Sequence, residues 1–575
     1  MPTRSPYPFA LAAAGLFLLI GLLTLGRYGI TWDSPENLLT GYHTLQFYRT
    51  GDAGWLDFGR YDALYQEEDD RPPLYNRNFN APHQYPPVAN VAANLTHAAA
   101  VRLFGPSIGF AGYHLSVLLF AALTVFVLAC FTWQAFGPAA ALAATLALTT
   151  YPLFFEHAHN NLKDVPFAAL VLLALWAYWQ AARLGRARWA VLSAVATGLA
   201  MGVRVIALQV YPLILLAYLP ACSQAIHRRS SRGAPETAMN RLTKSYQYLP
   251  WHLPLALLVF LAAWPWLWAD PLGRLGEHLR FAADAGRGLR VLYDGQIWLV
   301  GQTLPWHYTP VLFALTTPPL VLLGGLFGAA VAARRVVAQA VSLPSSSQAD
   351  SLRYDLPAAL LLLGLFLLAL VRSTWPTIPQ YDGTRHLMDG LVAFAGLFGL
   401  GVAALWDAAR RRWPGLHGRA GALAGLFLLA LAFAPTVTAL IRLHPYQGIY
   451  YNALAGGVSG AADRFPQEYW GSSFLAAAGW LSDHAEPDAV ILPRVGGHLL
   501  RLHLPDDPRL IADEALPTLP PNQTLYVVYM ARRDKYDGLT EWVDAHLTPA
   551  HVIEREGAVL LKVVRTEVGV LQGVP

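Results

Sequence analysis

Residues 108–130 read IGFAGYHLSVLLFAALTVFVLAC, without one Asp, Glu, Lys or Arg. A bilayer core about 30 Å thick takes roughly 20 apolar residues of helix, so this stretch alone can cross it. Hydrocarbon offers no water to backbone amides, and a helix satisfies them all internally. Similar stretches recur at roughly 8–28, 138–155, 165–182, 189–203, 205–220, 251–268, 309–332, 357–372, 387–406 and 421–441, which makes eleven candidate spans. Arg204 interrupts the pair around 189–220. The fold class expected is a polytopic α-helical membrane protein. Composition agrees: the 575 residues are 55% hydrophobic and only 14% charged, where soluble chains carry about a quarter. Low charge excludes disorder, and two cysteines, Cys130 and Cys222, exclude a disulfide scaffold.

Basic residues in the short loops set the orientation. With the N-terminus inside, the cytoplasmic side receives Arg183, Arg186 and Arg188, then Arg228, Arg229, Arg232, Arg241 and Lys244. The same side takes Arg334, Arg335 and Arg353, then Arg410, Arg411, Arg412 and Arg419. Short loops on the other side hold little beyond Lys163, Arg372 and Arg385. Only Arg4 precedes the first span and no small-residue cleavage site follows it, so it reads as a retained anchor. Eleven spans then put the C-terminus outside.

The division expected is a transmembrane domain over 1–441, with a long outer first loop at 29–107, and an outer C-terminal α/β domain over 442–575. Strands are expected at 489–492, 525–530 and 558–564, which are rich in Val, Ile, Leu and Tyr. Helices are expected at 474–484 and 539–546, with Trp480 and Trp542 on their apolar faces. The His, Asp, Asn and Trp-Pro clusters fall outside, whereas the Arg-rich inner loops, with Ser and Pro at 343–350, read as connectors.

Thr31-Trp32-Asp33-Ser34-Pro35-Glu36 follows the first span and puts an acid at the membrane–water boundary. Asp33 or Ser34 ahead of Pro35 also suits helix capping. In the same loop, His83-Gln84-Tyr85-Pro86-Pro87 precedes a helical stretch, while the acidic run at 67–70 reads as a solvated loop. The densest polar cluster, at 156–164, joins two spans across a short turn: Glu156-His157-Ala158-His159-Asn160-Asn161-Leu162-Lys163-Asp164. Ionisable groups at that depth are costly and point to function; Asp164 ahead of Val165-Pro166 could equally cap the next span. The cluster has the composition of a metal site, with Asp164, His157 and His159 as candidate ligands of a divalent ion, although Glu-His-x-His has no diagnostic spacing. Arg204 either snorkels to the surface or binds an anion within the bundle. Arg385, at the outer end of a late span, serves as an interfacial anchor or grips a phosphate. The segments around His444 and Trp470 read as a linker that docks the tail.

In their order and common sidedness these motifs resemble the GT-C glycosyltransferases, and specifically the bacterial family 39 group. That group is similar to the protein O-mannosyltransferases and the aminoarabinose transferases. The matching residues are Asp33, Tyr85-Pro86-Pro87 ahead of Phe104-Gly105, Lys163-Asp164-Val165-Pro166, Arg385, and the tail pattern His444-Pro445-Tyr446, Tyr450-Tyr451-Asn452, Gly456-Gly457 and Tyr469-Trp470-Gly471. Two positions depart from the family pattern. Ser34 stands where a Glu usually follows the first Asp, leaving Glu36 as the nearest acid, and His386 replaces a customary Tyr.

The resemblance implies an inner-membrane enzyme that takes a sugar from a polyprenyl phosphate and gives it to a lipid, glycan or protein acceptor on the outer face. The chain has no phosphate-cradling glycine loop, and neither a nucleotide nor a nucleic acid is expected as partner. Asp33 is expected as general base. Asp164, holding a divalent ion where one is bound, would orient and neutralise the departing phosphate. Arg385, Lys163 and Arg204 would bind that phosphate, with Tyr85 and Glu36 beside the substrate. Asp33 and Asp164 should then lie within about 15 Å of each other, facing one cavity. A secondary transporter or flippase and a non-catalytic scaffold are the other classes considered. The transporter is disfavoured by the lack of internal repeats, the few acids within spans and the large outer domain; the scaffold would be built around the tail domain.

Overall fold

The computed structural model describes residues 5–56, 85–218, 246–340, 354–375 and 378–574. Several residues discussed above lie outside these: His83, Gln84, 67–70, Cys222, Arg228, Arg229, Arg232, Arg241, Lys244, 343–350 and Arg353.

Among the described residues six helices are long and apolar enough to cross a membrane: Tyr7–Arg27, Ala111–Phe136, Asp164–Leu184, Leu356–Thr374, Arg385–Arg412 and Arg419–Leu443. Two further candidates are bent pairs, Pro138–Thr149 with Pro152–Asn160 at 66°, and Tyr308–Thr316 with Pro319–Arg335 at 119°. Three shorter apolar helices, Ala187–Met201, Val205–Tyr218 and Leu249–Ala263, complete the set. The described residues of the eleven expected stretches are mostly helical, but these three helices fall short of crossing length. The protein is a polytopic helical membrane protein.

Proline causes both bends, because it has no N–H to give and its ring clashes with the carbonyl one turn back. The freed groups are taken up elsewhere. Asn452 Nδ2 donates to the carbonyls of Ala314 (2.7 Å) and Thr317 (2.8 Å), and the Asn452 amide donates to Leu315 (2.8 Å). The Tyr151 hydroxyl meets Thr317 Oγ1 at 2.7 Å and so links the two breaks. A fresh helix starting at Pro152 also corrects the expected connection at 156–163. Glu156, His157 and His159 sit on its last turns, and only Asn161, Leu162 and Lys163 make the link to the next span.

The Arg385–Arg412 helix runs through the centre of the bundle. Its glycines admit close neighbours: a Cβ on Gly401 would collide with the Gly324 carbonyl, and one on Gly399 with the Ala140 carbonyl. By contrast, Arg419–Leu443 turns Leu423, Phe427, Leu431 and Ile441 outward, as a lipid-facing helix does.

Helices Ser34–Thr50 and Val88–Phe104 pack together. Asn94 is buried between them and donates to the carbonyls of Leu38 (2.8 Å) and Asn90 (2.9 Å).

A hairpin, β1 (Arg290–Tyr293) and β2 (Gln296–Leu299), turns at Asp294-Gly295, where both residues take positive φ as a tight primed turn requires. The tail holds β3 (Val490–Pro493), β4 (Thr524–Met530), β5 (His551–Arg555) and β6 (Ala558–Glu567) in the order β3-β4-β6-β5. β3 runs parallel to β4; the other pairs are antiparallel. Helices Phe474–His484 and Gly538–His546 stand where expected. β5 escaped the sequence reading because a bulge at Ile553/Glu554 breaks its alternation.

Candidate active site

Asp33 is the residue before the Ser34–Thr50 helix, but its carboxylate makes no capping bond. The local hydrogen bonds are made by Ser34, whose Oγ accepts from the Thr31 amide at 3.3 Å and lies 2.5 Å from Thr31 Oγ1. The Asp33 carboxylate is thus free to face the bundle, where Lys163 Nζ lies 3.5 Å and Arg385 Nη1 3.4 Å from Oδ2.

Asp164 is likewise relieved of capping. Asn161 Oδ1 accepts from the amides of Lys163 (3.1 Å) and Asp164 (2.8 Å), which leaves the carboxylate for other partners. Oδ2 accepts from Asn161 Nδ2 at 2.8 Å and lies 3.9 Å from Arg385 Nη1, while Oδ1 pairs with Arg204 Nη2. One guanidinium nitrogen therefore sits between the two acids, so their carboxylates face one point. They differ in access: the Asp33 side chain is 27% exposed, that of Asp164 2%.

Arg385 is buried at the head of its helix, 3.3 Å from Asp382 Oδ2, between the rings of Tyr381 (5.0 Å) and Trp470 (4.9 Å). Among the described residues its buried Nε has no hydrogen-bond partner. Lys163 Nζ lies 3.8 Å above the Tyr85 ring, and the Glu36 carboxylate is near enough to act on both through its charge.

The electrostatics outside the spans follow from this packing. Burial alone would raise the Asp33 carboxyl, but Lys163 and Arg385 outweigh it and hold the group below the ordinary carboxylate range. Burial lowers the Lys163 ammonium, and Asp33 offsets only part of that. Asp33 is an anion at neutral pH, and Lys163 gives up its proton more readily than a free lysine.

The expected metal ligands do not assemble. His157 Nε2 meets the Tyr469 hydroxyl (3.0 Å) and Trp470 Nε1 (3.1 Å), and its Nδ1 lies 2.6 Å from Asn161 Nδ2. His159, two positions on, is turned away: Nδ1 bonds the Phe155 carbonyl at 2.7 Å, Nε2 bonds Thr24 Oγ1 at 2.9 Å, and the ring stacks on Tyr28. Positions two apart on a helix do not face each other, which is why the pair cannot converge on Asp164. Among the described residues no three His, Cys, Asp or Glu side chains gather as a metal site.

The structure thus brings together Asp33, Asp164, Arg385, Arg204 and Lys163, with Tyr85 and Glu36 at the edge. It adds Asn161, Tyr381, Asp382 and Trp470. Trp470 belongs to the segment read as a docking linker, yet it also closes the site. Its carbonyl accepts from the Trp32 amide at 2.8 Å, and Glu468 receives the amides of Trp470 (3.0 Å), Gly471 (2.6 Å) and Ser473 (2.9 Å).

Residues 86–231 match the family model described as dolichyl-phosphate-mannose-protein mannosyltransferase. No curated protein matches the chain by sequence. Among solved structures it is similar to ArnT from Cupriavidus metallidurans bound to undecaprenyl phosphate, with a TM-score of 0.46 and 16% identity over 97% of this chain and 98% of that one. The apo state of that ArnT gives 0.46 and 16% over 98% and 99%. The oligosaccharyltransferase of Archaeoglobus fulgidus, tethered with an acceptor peptide, gives 0.46 and 12% over 88% and 63%. Over residues 86–231, which hold Pro86-Pro87, Lys163-Asp164-Val165-Pro166 and Arg204, the chain is similar to the dolichyl-phosphate-mannose-protein mannosyltransferases.

Proposed function

We propose that the protein is a membrane glycosyltransferase that moves a sugar from a polyprenyl-phosphate donor to a hydroxyl or amine acceptor on the outer face of the inner membrane. The observation that carries this is the convergence of two carboxylates on the guanidinium of Arg385 at the mouth of a helical bundle. The family match over residues 86–231 supports the class of donor.

Each role follows from access and charge. The acceptor must lose a proton as it attacks the anomeric carbon. Asp33 is the acid that keeps solvent access and an ionised carboxylate, so it receives that proton. The bond between the anomeric carbon and the phosphate oxygen breaks, and the electron pair leaves on the phosphate. Arg385, Arg204 and Lys163 carry the cations that would receive the charge. Asp164, buried and already paired with two arginines, orients them; a buried carboxylate without partners would be far costlier. The arginines supply the positive charge that the leaving phosphate needs, while His157 and His159 are engaged with Trp470 and Thr24.

Mass analysis of envelope lipids, glycans and proteins from cells with and without the gene tests the reading. A sugar-bearing product lost with the gene and regained with the intact chain is expected. Movement of a lipid or sugar without covalent transfer would instead place the protein among transporters.

Sidedness gives a second test. Single cysteines at Gly295 and Gly538 should react with an impermeant reagent from outside, and those at Arg232, Ser346 and Arg411 only after the membrane is opened. Labelling of Gly538 and Arg411 from the same side would overturn the orientation.

Lys163 gives a third. Since burial lowers its ammonium, the positive charge disappears with rising pH earlier than for a free lysine, whose value is about 10.4. Apparent donor affinity should fall on the alkaline side below that value. Lys163→Arg, which stays charged throughout, should move the fall upward. An alkaline limb unmoved by Lys163→Arg would remove Lys163 from the phosphate site.

A further inference from the structure

Arg372 has no part in the chemistry above, yet it is among the most completely engaged side chains inside the bundle. It lies in the last turn of the Leu356–Thr374 helix. Nη1 donates to Gln209 Oε1 at 2.8 Å and to Asp389 Oδ2 at 3.2 Å; Nη2 donates to Asp389 Oδ1 at 2.9 Å and to the His386 carbonyl at 2.8 Å. Gln209 Nε2 closes the ring by donating to Asp389 Oδ2 at 2.7 Å. The Asp389 side chain is 1% exposed and Gln209 is buried.

A buried ion pair contributes little net stability, since desolvation offsets most of its attraction. What this one fixes is more telling. His386 belongs to the short Arg385–Leu387 turn that presents Arg385, and Asp389 lies one helical turn beyond Arg385. Gln209 ends the Val205–Gln209 turn, which begins with the Ala207 amide bonded to the Arg204 carbonyl at 3.0 Å. Arg372 therefore ties the segment that carries Arg385 to the segment that carries Arg204. At the other end both arginines meet on the two oxygens of Asp164. The two carriers are joined twice, once through Asp164 and once through Arg372.

We infer that Arg372, Asp389 and Gln209 are positioning residues: a buried strut that sets the spacing of Arg204 and Arg385 so that both reach one phosphate. This rests on the phosphate-donor reading above. Its physical basis is that guanidinium–oxygen hydrogen bonds hold only over about 2.7–3.2 Å, so a slip of about 1 Å in one carrier disengages its arginine.

The test uses the full chain in detergent, titrated with a polyprenyl monophosphate, with binding and melting temperature both measured. Gln209→Met removes both Gln209 bonds at similar length and without a change of charge. It should weaken binding about tenfold with little change in melting temperature. Arg372→Lys keeps the charge and loses the fork, and should weaken binding as much. Because Gln209 acts through Arg204, Gln209→Met should add little to Arg204→Ala in the double variant.

Folded variants that bind like the parent, or a double variant whose losses add in full, would overturn the strut. If one variant fails to fold, the other decides; failure of both would assign the network to stability and overturn a positioning role. A parent chain that binds no polyprenyl monophosphate would sink the donor reading itself, which separates the two failures.

Discussion

Asp33→Asn is expected to lower sugar transfer by about 10²-fold or more while leaving donor affinity nearly unchanged. A general base acts on the acceptor proton in the transition state, so its loss appears in the rate and not in ground-state binding of the donor. The structure sharpens the expectation by removing the bland explanation. Asn and Asp are equivalent as helix caps, but the Asp33 side chain caps nothing and Ser34 makes the local bonds. The substitution also takes away an anion that faces Lys163 and Arg385 at 3.5 and 3.4 Å. Both cations keep other partners: Lys163 keeps the Tyr85 ring, and Arg385 keeps Asp382 and Asp164. Folding should therefore survive. Kinetics of the purified variant against donor and acceptor separately would check this. Full turnover by Asp33→Asn would end its role as base and leave Asp164, at 2% exposure, as a poorly placed substitute.

The membrane class and the apolar helices were legible in the apolar runs, because lipid leaves the backbone few alternatives, whereas polar helices such as Ser34–Thr50 and Pro271–Asp284 were not. Asp33, Lys163, Asp164 and Arg385 were legible for a related reason: charge at the edge of hydrocarbon is costly, so each such residue draws attention one at a time. Two kinds of feature were not legible. Partners distant in sequence leave no periodic trace, as with the Arg372–Asp389 pair or Trp470 over Arg385. Direction around a helix was also missed, since the reading grouped His157 and His159 by proximity along the chain. The helix begun at Pro152 sends one toward Trp470 and the other toward Tyr28. Asn161 stood in plain view within the polar cluster. Its part, sparing Asp164 from capping, depends on a side-chain geometry that composition does not encode.

Arg385→Ala should produce the other large effect, in affinity and stability together. A charge-assisted hydrogen bond to a donor phosphate is worth about 1.5–3 kcal/mol, or roughly 10- to 150-fold in donor affinity. The same guanidinium also serves Asp33, Asp382 and Asp164, and taking one partner from a buried ion pair costs about 3–5 kcal/mol. The cost here should fall toward the lower end, since Asp164 keeps Arg204 and Asp382 keeps Arg532 at 3.3 Å. Lower affinity in Arg385→Ala alone would thus not separate a phosphate grip from a collapsed site. Arg385→Lys does separate them. It keeps the positive charge among the acids and so most of the stability, but an ammonium cannot offer the planar fork that spans Asp164 and a phosphate at once. The expected result is a melting temperature near that of the parent with donor affinity still about tenfold weaker. Should Arg385→Lys bind donor as the parent does, the guanidinium is a structural tie among Asp33, Asp164 and Asp382, and the phosphate would fall to Lys163 and Arg204.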